Sequence, residues 1–233
     1  MKKWIAGLAL GLGALGASAQ LLTSPQPQNV LQLSATGTVE VQQDLLMLSL
    51  NTTREGADAA TVQNQLKAAL DAGLTEAKKA ALPGQLDVRT GNFSLYPRYG
   101  RDSKISGWTG TTELVLEGRD FARITATAAK ITSLTMGGVG FGLSREQRAR
   151  VEGEAQALAI ERFKAKAAEL AKGFGFSGYS LREVSVNSND QGSPRPPRML
   201  AMESRSAQAD TPVPVEAGKS SVNVNVSGSV QLR

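Results

Sequence analysis

The side chains that usually carry enzymatic chemistry near neutral pH are largely missing from this chain of 233 residues. It contains no Cys and no His. Without thiols there are no disulfides, iron–sulfur clusters, thiolate zinc sites or cysteine nucleophiles. Without imidazole the chain lacks the commonest general base and the commonest transition-metal ligand. The sequence therefore predicts no catalytic, cofactor-binding or metal-binding residue, and it argues against most familiar hydrolases.

Glycine-rich letter patterns occur, but their surroundings do not fit nucleotide binding. Residues 173–178 satisfy G-x-G-x-x-G. A dinucleotide site needs a strand before these glycines and a helix after them, whereas here the pattern predicts the reverse order and so the end of a helix. Residues 218–220 read Gly-Lys-Ser like the end of a P-loop, but Val213 stands where its first glycine belongs. A serine–lysine nucleophile of the S-x-x-K type is also absent.

Four carboxylates lie close to predicted strands: Asp44, Asp87, Asp102 and Glu113. Two carboxylates that converge in a cleft could perform acid–base hydrolysis. Spacing along the chain does not bring any two of them together, so solvated surface carboxylates are the favoured interpretation. An enzyme with a carboxylate-based site is the lowest-ranked hypothesis.

Aromatic and basic residues alternate in one short segment and define a candidate contact surface, formed by Tyr96, Arg98, Tyr99, Arg101 and Trp108. The alternative is a loop whose aromatic rings pack on the edge of the sheet while its arginines are solvated. A related hypothesis is binding of a polyanion, nucleic acid or cell-wall polymer, by a wider set of arginines: Arg98, Arg101, Arg195, Arg198 and Arg205.

The first nineteen residues have the composition of a secretory signal peptide. A basic start with Lys2 and Lys3 precedes an apolar run over residues 4–16, and Ala17-Ser18-Ala19 is a small-residue cleavage site. About 13 apolar residues are too few to span a bilayer, which needs about 20. The sequence predicts export, cleavage before Gln20, and a soluble protein in the periplasm or another extracytoplasmic compartment. Cleavage lowers the formal net charge from +5 to about +3, which is too small to identify a partner.

The rest of the chain predicts a flexible lead-in over residues 20–29 and one domain over residues 30–233. Apolar periodicity indicates a long strand bent near Asp44 and a helix over residues 54–72 that Gly73 interrupts or ends. Two strands follow, joined by a hairpin loop over residues 96–102, then a helix from the Asp120 N-cap to Ser133 and a short strand over residues 139–143.

The capping box of Ser144 and Gln147 opens the longest helix, and Gly173 and Gly175 end it. A predicted strand over residues 181–186 precedes a predicted mobile loop over residues 187–218, which is rich in Ser, Pro, Asn and Gln. Strict alternation over residues 222–232 predicts the last strand. Strands and helices mix without βαβ spacing, so the expected fold class is α+β, with a mixed, largely antiparallel sheet and helices packed on one face.

Four blocks in this order resemble the SIMPL-domain family of bacterial envelope proteins. They are the opening strand over residues 33–41 followed by Asp44, the segment over residues 87–99 with residues 105–108, the Ala-rich helix over residues 155–173, and the closing strand over residues 218–226. Trp108 departs from the pattern, since many members carry Tyr there.

The resemblance implies the fold and an extracytoplasmic location, and it transfers no catalytic residue. Members of that family are tied to oxidative-stress defence, and some assemble into large homo-oligomeric particles. The leading hypothesis is therefore a non-enzymatic, self-assembling periplasmic protein that supports envelope or oxidative-stress tolerance, with itself as the expected partner. Polyanion binding is the alternative.

Overall fold

The computed structural model describes residues 28–188 and 214–233. The predicted signal peptide, most of the lead-in and most of the loop over residues 187–218 lie outside these ranges, so these three assignments stay predictions. Arg195, Arg198 and Arg205 also lie outside them. In the described part, no helix is long and apolar enough to cross a membrane.

The fold is α+β, as predicted. Among the described residues every strand pair is antiparallel, where a mixed, largely antiparallel sheet was expected, and the strands form two sheets instead of one. The strands are β1 (Val30–Gln42), β2 (Leu45–Gly56), β3 (Asp87–Tyr99), β4 (Ile105–Gly118), β5 (Thr135–Gly142), β6 (Tyr179–Ser188) and β7 (Lys219–Leu232), and the helices are α1 (Ala59–Ala80), α2 (Phe121–Lys130) and α3 (Arg145–Gly173). One sheet has the order β1-β7-β6 and the other β3-β4-β2-β5. The predicted bend near Asp44 is the point where the chain leaves the first sheet and enters the second.

Each sheet buries one face under helices. In the four-stranded sheet, Leu46, Leu48 and Leu50 of β2 and Leu114 and Leu116 of β4 form a core with α1 and α2. Alternation along these strands sends every second side chain to that face, while the other face carries polar residues together with Met47 and Val115. The predicted helical face of α1 is confirmed, but its first turn is not, because residues 54–56 belong to β2. Gly73 does not end α1; it packs against Leu134 and Leu114 within the helix.

The three-stranded sheet is covered by α3. The buried face of α3 is mostly alanine, namely Ala155, Ala159, Ala167 and Ala171, with Val151 and Phe163. Small side chains let the helix axis lie close to the sheet, and at the point of contact β1 carries Gly37. A β-carbon at Gly37 would overlap the carbonyl oxygen of Ala155 and lie 2.7 Å from the amide nitrogen of Ala159. The helix therefore packs directly on the strand backbone.

Two predicted helix starts and the predicted end of α3 are confirmed by their hydrogen bonds, whereas α2 ends at Lys130, before the predicted Ser133. Ser144 caps α3 by accepting from the amide of Gln147, and Asp120 caps α2 by accepting from the amide of Arg123. The latter bond holds the pKa of Asp120 below its usual value. At the other end of α3, Gly175 has φ +83° and the amides of Gly175 and Phe176 donate to the carbonyls of Lys172 and Ala171. This arrangement is a glycine C-cap, so the glycines of the G-x-G-x-x-G pattern terminate a helix.

One buried hydroxyl in the core gives a direct test of the packing under α1. Thr112 of β4 is fully buried, and its Oγ1 has no hydrogen-bond partner among the described residues. Since a buried, unpaired polar atom is costly, we expect Thr112→Val to raise the free energy of unfolding by about 1 kcal/mol. The neighbour opposite it, Thr52, is a matched control because its Oγ1 accepts from Arg54 at 2.8 Å. Urea denaturation should show no gain for Thr52→Val; equal gains would contradict the assignment.

Candidate functional site

Each of the four carboxylates near the strands accepts a hydrogen bond from a backbone amide. The donors are the amides of Ser144 to Asp44 at 2.7 Å, Gly84 to Asp87 at 3.1 Å, Lys104 to Asp102 at 3.3 Å and Asn92 to Glu113 at 3.2 Å. Carboxylates bonded in this way fix turns and bulges. No group of three or more potential metal ligands occurs among the described residues.

The candidate contact surface lies on the β3–β4 hairpin, but not in a loop. Strand β3 continues through Tyr99, so Tyr96 and Arg98 are strand residues and the connecting turn is shorter than predicted. Tyr96 and Tyr99 are 62% and 65% exposed, which contradicts the alternative in which the rings pack on the sheet edge. Arg98 forms an ion pair with Glu55, and Trp108 lies half-buried opposite Pro97.

Open strand edges are the second place where this fold can make contacts, and three of its four edges are obstructed. At β1, Arg162 and Lys166 of α3 donate to the backbone carbonyls of Thr36 and Ser34 at 2.7 Å and 3.3 Å. Strand β3 carries Pro97 and two register shifts, and β5 is short, has four glycines and shifts register against β2. Prolines, bulges and cations are the usual means by which edges avoid further pairing.

The remaining edge, β6, also shifts register, at Arg182, but it carries no proline. It pairs with β7 on one side, and within the described residues no side chain bonds to its backbone on the other. Every residue from 181 to 188 is exposed. Sequence reasoning placed a strand here but missed this exposure, because an apolar strand reads the same whether or not a helix covers it.

The exposed apolar side chains of β6 all lie on one face. Leu181, Val184 and Val186 are 54%, 44% and 44% exposed. They are opposite Val230, Gly228 and Val226 of β7, so they point to the side on which α3 packs, but α3 mainly covers β1 and β7. We call these three residues the β6 stripe. An open edge beside an apolar stripe is a typical site for pairing with another chain.

The polar residues of β6 include one pair of opposite charges. A register shift at Arg182 lets Arg182 and Glu183 share the face away from α3, where Arg182 donates to Gln231 at 3.1 Å. Close strand approach fixes this segment, because a β-carbon at Gly228 would overlap the carbonyl oxygen of Glu183. The edge is thus a strand with an apolar face, a polar face and adjacent charges of both signs.

Comparison with known proteins now places the chain. The SIMPL family model, described as "Protein of unknown function (DUF541)", matches residues 31–230. The chain belongs to the SIMPL family. The resemblance seen in the sequence is therefore confirmed. The match begins within β1 and ends within β7, so it includes nearly all of both sheets of this SIMPL protein.

Other comparisons add no functional information. No curated protein matches the sequence. A solved structure described as "The crystal structure of AtUAH in complex with glyoxylate" is similar over 55% of this chain and 34% of that chain, with 12% identity and a TM-score of 0.24. The SIMPL protein thus spans about a third of the length of that chain, and a likeness this weak supports no statement about fold or activity.

Proposed function

We propose that this SIMPL protein is an exported, non-enzymatic protein that acts by self-association through the open edge of β6, in support of envelope or oxidative-stress tolerance. The observation that carries the proposal is the β6 stripe beside a strand edge that no other described residue pairs with. Export rests on the signal-peptide composition of residues 1–19. The absence of Cys and His and the local bonding of the carboxylates support a protein that works by its surface.

A second copy of the same strand fits this edge. If two β6 strands pair antiparallel about a twofold axis, one register places Leu181 opposite Val184 of the second copy and Tyr179 opposite Val186. That register also places Arg182 opposite Glu183, and the symmetry makes this contact occur twice. Opposite-charge and apolar cross-strand pairs each contribute roughly 0.2–1 kcal/mol. The paired sheets would form a continuous six-stranded sheet with the apolar stripes joined on one face.

Lysines on the β6 stripe should prevent this association. We expect the chain from Gln20 onward to form dimers or larger assemblies at micromolar concentration in light scattering. Val184→Lys with Val186→Lys should weaken association at least tenfold, because pairing would bury the added lysine charges where the two apolar stripes join. Ser185→Lys with Asn187→Lys is the matched control, since it adds the same charge to the polar face of the same strand. A strictly monomeric parent chain, or equal loss in the control, would contradict the proposal.

A charge exchange tests the register itself. Arg182→Glu alone would bring two carboxylates together at each of the two symmetric contacts and should weaken association. Adding Glu183→Arg restores opposite charges without changing composition, so the double variant should recover the assembly. Failure of the second change to recover it, with folding intact by circular dichroism, would exclude this register.

A further inference from the structure

The end of the β3–β4 hairpin projects as an ordered, uncovered tip. Every residue from 101 to 106 is exposed. The turn is held by hydrogen bonds from the Gly100 amide to the Lys104 carbonyl at 2.8 Å and from the Ser103 amide to the Gly100 carbonyl at 3.1 Å. Three large side chains near this turn, Tyr96, Tyr99 and Ile105, are more than half exposed. The fold thus holds a defined structure whose apolar groups face water.

The two tyrosines lie on opposite faces of this tip. Tyr96 and Tyr99 are three residues apart on one strand, and side chains alternate between faces along a strand. A rigid surface or polymer lying against one face would leave the other ring in water. A fluid interface entered end-on by the tip covers both rings at once. Tyrosine suits such an interface because its ring is apolar and its hydroxyl remains hydrated.

The charge around the tip is positive. Arg98, Arg101 and Lys104 are the basic side chains of the segment, and Glu55 and Asp102 are the acidic ones next to them. Glu55 pairs with Arg98, and Asp102 lies 3.9 Å from Lys104. Arg101 has no ion-pair partner among the described residues. Basic residues beside interfacial aromatic rings favour a surface of anionic lipid headgroups.

We propose that the β3–β4 tip docks the protein on an anionic phospholipid surface, with Tyr96, Tyr99 and Ile105 entering the headgroup region and Arg101 and Lys104 contacting lipid phosphates. This is peripheral binding, without a spanning segment. It is independent of the β6 edge, which lies on the other sheet, and it adds a lipid partner to the proposed self-association.

Vesicle binding tests the proposal with a built-in reporter. The sequence has two tryptophans, Trp4 and Trp108, so the chain from Gln20 onward keeps only Trp108, on the hairpin. We expect sedimentation with phosphatidylglycerol–phosphatidylethanolamine vesicles at low salt, a blue shift of tryptophan emission, and much weaker binding to phosphatidylcholine vesicles. Tyr96→Ser with Tyr99→Ser should weaken binding at least tenfold. Arg101→Gln with Lys104→Gln should weaken it roughly tenfold and flatten its salt dependence.

The control removes an equally exposed ring elsewhere. Phe174, at the end of α3, is 61% exposed, and Phe174→Ser should leave vesicle binding unchanged. No binding to anionic vesicles, or equal loss in the Phe174 variant, would overturn the proposal. Binding of soluble heparin with the same dependence on the two tyrosines would overturn it too, because the tip would then recognise a polymer.

Discussion

Gly37→Ala is expected to lower the free energy of unfolding by about 3 kcal/mol or more. The added methyl would overlap the carbonyl oxygen of Ala155 and crowd the amide nitrogen of Ala159. Both are backbone atoms of α3 and cannot rotate away, so the helix must move off the sheet. Overpacking of a core typically costs 1–3 kcal/mol, and here the displaced element is the longest helix of the fold. Chemical denaturation followed by circular dichroism measures the effect.

The same substitution elsewhere in α3 should act in the opposite direction. Gly153 lies within the helix and is exposed, and a β-carbon there would meet nothing within 4 Å. Gly153→Ala should raise the free energy of unfolding by about 0.5–1 kcal/mol, because alanine favours the helical conformation. A loss of less than 1 kcal/mol for Gly37→Ala would contradict direct packing of α3 on the backbone of β1.

Asp44→Ala is expected to cost about 2–4 kcal/mol of stability. Asp44 stands between β1 and β2, where the chain changes sheets, and it accepts from the amide and hydroxyl of Ser144 at 2.7 Å and 2.6 Å. The same hydroxyl accepts from Gln147 at 3.2 Å and so caps α3. Hydrogen bonds to charged groups contribute roughly 1.5–3 kcal/mol, and removal of Asp44 affects both sheets and the helix start.

Two comparisons isolate the role of the carboxylate. Asp44→Asn keeps one acceptor oxygen and should retain about half of the lost stability. Asp87→Ala removes an exposed carboxylate with a single bond, to the Gly84 amide at 3.1 Å, and should cost no more than about 1 kcal/mol. Thermal denaturation of the three variants should show the largest loss of stability for Asp44→Ala, a smaller loss for Asp44→Asn and the smallest for Asp87→Ala. Equal losses for Asp44→Ala and Asp87→Ala would show that the junction has no special role.

Both positions lie in the opening segment by which the sequence resembles the SIMPL family. Gly37 permits the contact between strand and helix, and Asp44 joins β1, β2 and α3. Both residues make contacts that hold the elements of the fold together. If a β6 variant fails to assemble, the loss can be assigned to β6 only when the contacts of Gly37 and Asp44 are intact. For this reason the β6 stripe variants change only exposed side chains.

Local patterns in the sequence were sufficient for elements whose stability is itself local. The alternation over residues 222–232 predicted β7, whose even-numbered residues face α3. Ser144 and Asp120 predicted two helix starts because capping depends on residues three apart. Gly175 predicted the end of α3 because its positive φ is readily adopted by glycine. The absence of Cys and His excluded whole classes of chemistry without any structure.

Only the tertiary structure decided the features that depend on distant partners. The division into two sheets follows from β1 pairing with β7, near the far end of the chain, while β2 pairs with β4 and β5. Gly73 was expected to end or interrupt α1 from its propensity, but packing against Leu134 and Leu114 keeps it helical. The four carboxylates, for which solvated surface positions were favoured, accept hydrogen bonds from backbone amides that the sequence did not identify. The exposure of the β6 stripe depends on how far α3 extends across the sheet, and no local pattern encodes that distance.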